Sequence, residues 1–204
     1  WQQCERTAPP SVITAETLSL DSIENMAAAA ADAVSRGAIL LKIKLDRDEI
    51  LEKVAAIRKA APRATLIIDA NEAWSGVDLQ SLLTALQAYN IAMVEQPLPA
   101  GQDQDLQRFN HPIPVCADES CHTREDIAEL RNRYEMINIK LDKCGGLTEA
   151  LAMVEEAQKL DMRLMVGCML GSSLAMEAAL PVAIAAEHID LDGPIWLAAD
   201  SSPF

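Results

Sequence analysis

Residues 39–45 read Ile-Leu-Leu-Lys-Ile-Lys-Leu, ILLKIKL in one-letter code, and the fold turns on how this stretch is read. It is a short apolar run interrupted near its end by Lys42 and Lys44. In a strand, residues two apart share a face, so both ammonium groups point the same way. The same form recurs downstream, where apolar runs end at Asp69, Glu95, Asp118 and Lys140, each roughly 25 residues after the last. That interval accommodates one strand, one helix and two short turns. Reactive side chains at the ends of successive strands converge on one rim when βα units close into a barrel.

Eight strand candidates are legible, at 11–18, 39–45, 65–70, 91–95, 113–118, 136–141, 163–167 and 188–192. They are short and apolar, as strands covered on both faces of a parallel sheet should be. Helical patterns lie between them: Ile50, Val54 and Ile57 form one stripe, and Leu147, Leu151, Val154 and Ala157 another. Thr123 followed by Asp126 reads as a variant capping box. Strand–helix alternation repeated seven times predicts an α/β protein, a TIM-type (β/α)7β barrel. An open doubly wound sheet is the rival, but no Gly-x-Gly-x-x-Gly follows the first strand. The expected division is a lead-in over 1–10 and a barrel over 11–204, with no helix after the eighth strand. The face near the eighth and first strands would then be bare, and a second copy of the chain could cover it. Beginning at Trp1 and ending at Phe204, the chain reads as an excised piece of something longer.

Half of the 204 residues are apolar, enough for one large core. Seventeen Lys and Arg against 31 Asp and Glu give a net charge of −14, which argues against nucleic acid or an anionic membrane as partner. No apolar run is long enough to span a bilayer, since Glu177 and Pro181 interrupt the most apolar helix pattern. Nothing resembles a signal peptide. The five cysteines, Cys4, Cys116, Cys121, Cys144 and Cys168, are odd in number and sit in or beside strands, the pattern of reduced thiols in a cytoplasmic protein. A zinc site can be drawn from Cys116, Cys121 and His122, but no fourth ligand follows at suitable spacing.

Strand order alone places the reactive side chains. In an eight-strand ring the second and sixth strands are opposed, so Lys44 and Lys140 would face each other across the mouth. Asp69, Glu95 and Asp118 lie along the arc between them, and Asp190 and Asp192 sit opposite Glu95. Three carboxylates from adjacent strands make an oxygen-rich site for a hard cation, and Mg²⁺ fits best. Such a site would hold a substrate carboxylate and stabilise the charge left when an α-proton departs, with one lysine on each face as base and conjugate acid. Lys42 and the metal would lower the pKa of the neighbouring lysine. A lysine that formed a Schiff base is a different chemistry open to the same residues. Simple solvation of strand-end charges is the plainest alternative.

The segments LLKIKL, IIDANEAW, MVEQPLP, ADES and INIKLDKCGGL together resemble the barrel of the enolase superfamily, in its muconate-lactonizing subgroup and nearest to the dipeptide epimerases. Sites of that superfamily use a Lys or His base with Mg²⁺. The resemblance spans essentially the whole chain. It implies a Mg²⁺-dependent isomerase, with one Mg²⁺ per chain on Asp69, Glu95 and Asp118 and an acid/base pair of Lys44 and Lys140. The implied reaction is epimerisation of dipeptides of the L-Ala-D/L-Glu type, by 1,1-proton transfer through a metal-stabilised enediolate, in cell-wall peptide recycling. IDLDGP is similar to the family's Asp-x-Asp, which puts Asp190 and Asp192 on a substrate α-ammonium. GCMLGSS is similar to the seventh-strand loop, where Cys168 and Leu170 would touch the peptide through backbone groups. Thr17 and Lys42 correspond to further substrate contacts.

Members of the superfamily carry an N-terminal capping domain, and no counterpart is visible in these residues. A catalytically incomplete barrel fragment is therefore one alternative. N-acylamino-acid racemase and o-succinylbenzoate synthase chemistry are others, against which Asp190 and Asp192 argue because an N-acyl substrate offers no cation. Other motifs have structural readings too: Asp190 and Asp192 as turn formers before Gly193-Pro194, and the glycines around Cys168 as a phosphate cradle.

Overall fold

The computed structural model describes residues 11–201, so Cys4 and the lead-in over 1–10 lie outside the described residues. The chain alternates strand and helix in the order β1 (Glu16–Leu18), α1 (Ile23–Ser35), β2 (Leu40–Lys44), α2 (Ile50–Ala60), β3 (Thr65–Asp69), α3 (Leu79–Leu86) and β4 (Ile91–Glu95). It continues with β5 (Val115–Ala117), α4 (Arg124–Leu130), β6 (Met136–Ile139), α5 (Leu141–Cys144), α6 (Leu147–Lys159), β7 (Arg163–Val166), α7 (Ser173–Ala183) and β8 (His188–Ile189). The eight strands form one curled sheet in sequential order, every neighbouring pair parallel.

Strand alternation sorts the side chains into two populations. One face carries Leu41, Ile43, Leu66, Ile68, Val94, Val115, Ile137, Ile139, Leu164 and Val166 into the large core beneath the helices. The other face builds a separate small cluster of Ala15, Leu40, Ile67, Met93, Cys116, Met136 and Met165, one residue from each of seven strands or strand approaches. Two residues further along the first six of these strands, the inner face turns polar, at Thr17, Lys42, Asp69, Glu95, Asp118 and Asn138, and Asp190 after β8 joins them through Lys42. The apolar layer is a floor, and the polar layer is the site.

The helices follow the expected stripes. Ile50, Val54 and Ile57 are buried, as are Val154 and Ala157, while Leu147 and Leu151 pack partly buried at the edge of the core. The Thr123–Asp126 capping box is present, with Asp126 Oδ2 accepting from the Thr123 N–H at 2.8 Å.

Several expected boundaries are wrong. The first strand occupies 16–18 rather than 11–18, the fifth 115–117 rather than 113–118, and the eighth only 188–189 rather than 188–192. At the first and last strands, side chains replace part of the ladder. The Ala15 N–H donates to the Ile189 carbonyl at 2.7 Å, but the Leu191 N–H donates to Thr14 Oγ1 at 2.8 Å and the Thr17 N–H to Asp192 Oδ2 at 2.9 Å. The seven-fold strand–helix alternation also fails once. Between β4 and β5 lies only a 3₁₀ turn at Gln104–Arg108, because Pro97, Pro99, Pro112 and Pro114 crowd that connection and cannot donate to an α-helical ladder. An extra single turn, α5, precedes α6.

Candidate active site

The C-terminal ends of the strands open into a cavity of about 480 Å³. Of the residues predicted from sequence, Thr17, Lys42, Lys44, Asp118, Lys140, Cys168, Leu170, Asp190 and Asp192 line it. Asp69 and Glu95 lie just beneath, their side chains fully buried. All eleven are thus brought to one rim.

The carboxylates are matched by ammonium groups. Lys42 Nζ lies 3.0 Å from Asp69, 2.9 Å from Glu95 and 2.8 Å from Asp190, joining opposite sides of the sheet. Lys44 Nζ is 2.7 Å from Asp69 Oδ2. Lys140 Nζ bonds Asp118 Oδ2 at 2.6 Å, and Lys143 bonds Asp118 Oδ1 at 2.6 Å. Burying charges is costly unless each has a partner, and this lattice of opposite charges supplies them.

The balance is uneven, and protonation shows where. Burial pushes Asp69 and Asp118 up, but Lys42 and Lys44 for the first, and Lys143 and Lys140 for the second, outweigh it and hold both below the usual carboxylate range. Glu95 goes the other way: burial and the nearby Asp69 carry it to about 7 despite Lys42. Asp190 is also raised, by burial and by Asp192, against Lys42. Burial favours the neutral amine of Lys140, yet Asp118 and Glu95 outweigh it and hold the pKa above that of an ordinary lysine. Lys42 is held well above its ordinary value in the same way, burial opposing it and Glu95, Asp69 and Asp190 prevailing.

Three polar atoms on the floor are buried with no hydrogen-bond partner: Glu95 Oε2, Asn138 Oδ1 and Asp190 Oδ1, although Lys42 Nζ lies 2.9 Å from the first. Among the described residues no cluster of three or more His, Cys, Asp or Glu is arranged to hold a metal ion. That corrects the zinc drawing: Cys116 belongs to the inner apolar layer, Cys121 is buried in the helix-facing core, and His122 stands exposed. For Asp69, Glu95 and Asp118 the donor chemistry does fit a hard cation. They are three carboxylates from adjacent strands, and at Glu95 burial and the neighbouring Asp69 outweigh the positive charge of Lys42.

Several residues in and around the cavity escaped the sequence reading. Asn138, two before Lys140 on the same strand face, donates to Glu95 Oε1 at 2.7 Å. Lys143 returns over Asp118 because α5 is a single turn, and the Lys-x-x-Lys spacing was the signal that could have found it. Asn71 and Glu119, just after Asp69 and Asp118, also line the cavity, as does Trp196. Gln96, the residue after Glu95, sits at φ 33° and is fully buried. Its Oε1 accepts from the Asp118 and Ser120 N–H groups at 2.8 and 3.1 Å, and its Nε2 donates to Tyr134 and Ser120. A buried hub of Asp103, Arg133 and Tyr134 backs it, so Asp118 is fixed by its backbone as well as its side chain. Gly167 matters by what it lacks: a Cβ there would fall 2.8 Å from the Asn138 amide and 3.1 Å from Lys140 Cε.

Among the substrate contacts expected from the resemblance, Lys42 already holds three carboxylates. Asp192 Oδ2 receives the Thr17 N–H at 2.9 Å and Trp196 Nε1 at 3.4 Å. Cys168 is half-buried, its thiol pushed up to about 11 by burial, and Leu170 is exposed at the rim.

Comparison with known proteins follows the geometry. A family model described as Enolase C-terminal domain-like matches residues 25–194. L-Ala-D/L-Glu epimerase of Escherichia coli (strain K12) is 52% identical over 197 residues, 97% of this chain and 61% of that protein. N-acetyl-D-glutamate racemase of Pseudoalteromonas sp. is 47% identical over 188 residues, 92% of this chain and 59% of that protein. A solved structure of L-Ala-D/L-Glu epimerase superposes with a TM-score of 0.96 at 50% identity, covering 99% of this chain and 64% of that one. Dipeptide epimerase from Cytophaga hutchinsonii, solved with Mg and D-Ala-L-Val, gives 0.88 at 32% identity, covering 95% and 56%. The chain therefore spans about 60% of the length of the curated relatives it matches, which are named as isomerases. With sequential parallel strands, a polar layer at their C-terminal ends and a match over residues 25–194, the chain belongs to the Enolase C-terminal domain-like family.

Proposed function

We propose that this chain carries the proton-transfer machinery of a dipeptide epimerase acting on L-Ala-D/L-Glu or a near relative, built on eight parallel strands that close into a β/α barrel. One observation carries the reading: Lys44 at the end of β2 and Lys140 after β6 border one cavity, with Asp69, Glu95 and Asp118 between them. Asp69, Glu95 and Asp118 would hold one Mg²⁺, which when bound supplies an electrophile for a substrate carboxylate. Lys44 Nζ and Lys140 Nζ then serve opposite faces of the substrate Cα, one accepting the α-proton and the other returning a proton to the far side. For either to act as a base, its ammonium must first give up a proton. Sharing Asp69 and Asp118 with a cation weakens their hold on Lys44 and Lys140 and favours that loss. Asp190 Oδ1, buried and unpartnered, suits a substrate α-ammonium, which brings three donors. A soluble, cytoplasmic role in recycling cell-wall peptides fits this chemistry.

The test is α-proton exchange in D₂O with Mg²⁺ and L-Ala-L-Glu, followed by NMR. Exchange abolished by EDTA and by Lys44→Ala supports the reading. A folded, Mg²⁺-binding chain that exchanges nothing would point to the incomplete-fragment alternative.

A second reading has its own support in the relative named N-acetyl-D-glutamate racemase. An N-acyl amino acid would bring one amide donor to Asp190 where a dipeptide brings an ammonium. Exchange of N-acetylglutamate at least as fast as L-Ala-L-Glu would favour it.

A further inference from the structure

We infer that Asn71, braced by Glu119, is the positioning residue that aims the Lys44 ammonium at the substrate; this rests on the reading of Lys44 as an acid/base group. The two lysines are held in unlike ways. Lys140 is enclosed, its side chain 9% exposed, bonded to Asp118 and walled by the bare backbone of Gly167. Lys44 is 33% exposed at the end of its strand, where a four-carbon stem has rotamers to lose before it can act. Its carboxylate partner, Asp69, is already engaged by Lys42 at 3.0 Å. Its other partner is Asn71 Oδ1, at 2.6 Å.

The loop is shaped for that contact. Asn71 sits at φ 40°, a left-handed conformation that Asn tolerates better than most residues, and Glu72 follows at φ 66°. This turn lets the Asn71 N–H donate to Asp69 Oδ1 at 2.9 Å while its side chain folds back toward Lys44. The Glu72 N–H donates to the Gln96 carbonyl at 2.8 Å and pins the loop to the next strand end. Asn71 Nδ2 faces Glu119 Oε1 at 3.4 Å, which orients the amide with its oxygen toward the lysine. An amide suits the task because a neutral acceptor fixes an ammonium without the full hold of a carboxylate on its proton. An aspartate at 71 would accept from Lys44 but would repel Glu119.

Two variants test this: Asn71→Gly, which tolerates the left-handed φ, and Glu119→Ala, which removes only the brace. With Mg²⁺ in D₂O, α-proton exchange is followed from L-Ala-L-Glu and L-Ala-D-Glu separately, and Lys44→Ala identifies the epimer whose proton faces Lys44. Loss of one hydrogen bond to a charged group should slow exchange of that epimer by about tenfold in Asn71→Gly and less in Glu119→Ala, with KM little changed. The other epimer should stay within about twofold, since its base is Lys140. Equal slowing of both epimers, or of neither, overturns the inference. A second measurement is independent of turnover. Acetic anhydride labelling of the metal-free protein, mapped by peptide mass, should show Lys44 modified about threefold faster relative to exposed Lys159 in Asn71→Gly. An unchanged ratio overturns the positioning role. A raised ratio in a protein that exchanges neither epimer upholds the positioning and sinks the catalytic reading instead.

Discussion

Lys42 has the greatest electrostatic leverage of any residue on the floor. Its side chain is 3% exposed and its ammonium lies within 3.0 Å of three carboxylates, so replacing it with an apolar chain of similar length strands buried charge. Lys42→Met is expected to destabilise the metal-free protein by about 3–5 kcal/mol, measured by urea denaturation at pH 8. Millimolar Mg²⁺ should restore part of the loss; no recovery would argue against a cation at this place. Glu95 gives a pH signature. Its carboxyl is raised from 4.5 to about 7 in the fold, so between those values the folded state holds a proton that the unfolded state has released. Stability therefore falls as pH rises through that window. Asp118, held low, has the opposite sign: its contribution is complete above the ordinary Asp range and is lost as pH falls through its depressed pKa. In EDTA, Glu95→Gln should flatten the fall in Tm between about pH 4.5 and about pH 7. An unchanged slope would mean that Glu95 titrates normally.

At the scale of elements, the bare backbone of Gly167 after β7 leaves room for the Asn138 and Lys140 side chains. Gly167→Ala would drive its Cβ against Asn138 and Lys140, with 2.8 Å to the former. The expected cost is about 1–3 kcal/mol of stability. Exchange through Lys140 should also slow by roughly tenfold, since a displaced base loses its attack geometry. Exchange assays from each epimer would show whether the Lys140 face suffers more, as this packing requires. Elements were legible in sequence where periodicity was undisturbed, as in β2, β3, β6, α2 and α6. They were misread where side chains replace backbone partners. Thr14 and Asp192 complete the ladder at the first and last strands, and no local pattern announces bonds between residues 177 and 175 positions apart. The proline-rich connection before β5 could have been read from its composition.

For the molecule as a whole, the net charge of −14 would make cation binding at the proposed site thermodynamically conspicuous. A ligand that binds only the folded state stabilises it by mass action, about 2.7 kcal/mol at a hundredfold excess over Kd. Mg²⁺ should therefore raise the Tm of the unaltered chain and have much less effect on Asp118→Asn, both measured by calorimetry at constant ionic strength. Equal shifts in the two proteins would assign the effect to surface charge. None of the helices among the described residues is long and apolar enough to cross a membrane.

Sequence alone determined the strand order, the face on which each reactive side chain lies and the identity of the five strand-end residues Lys44, Asp69, Glu95, Asp118 and Lys140, while the remaining contacts came from the resemblance. These follow from a period of two along a strand and a period of about 25 between strands, both local properties. Only the tertiary structure decided which charge answers which. Lys42 spans the sheet to Glu95 and Asp190, Lys143 turns back on Asp118, and Asn71 meets Lys44. Such pairings depend on through-space distances of about 3 Å between chain segments far apart in sequence, and electrostatic energy depends on that distance and on burial rather than on spacing along the chain.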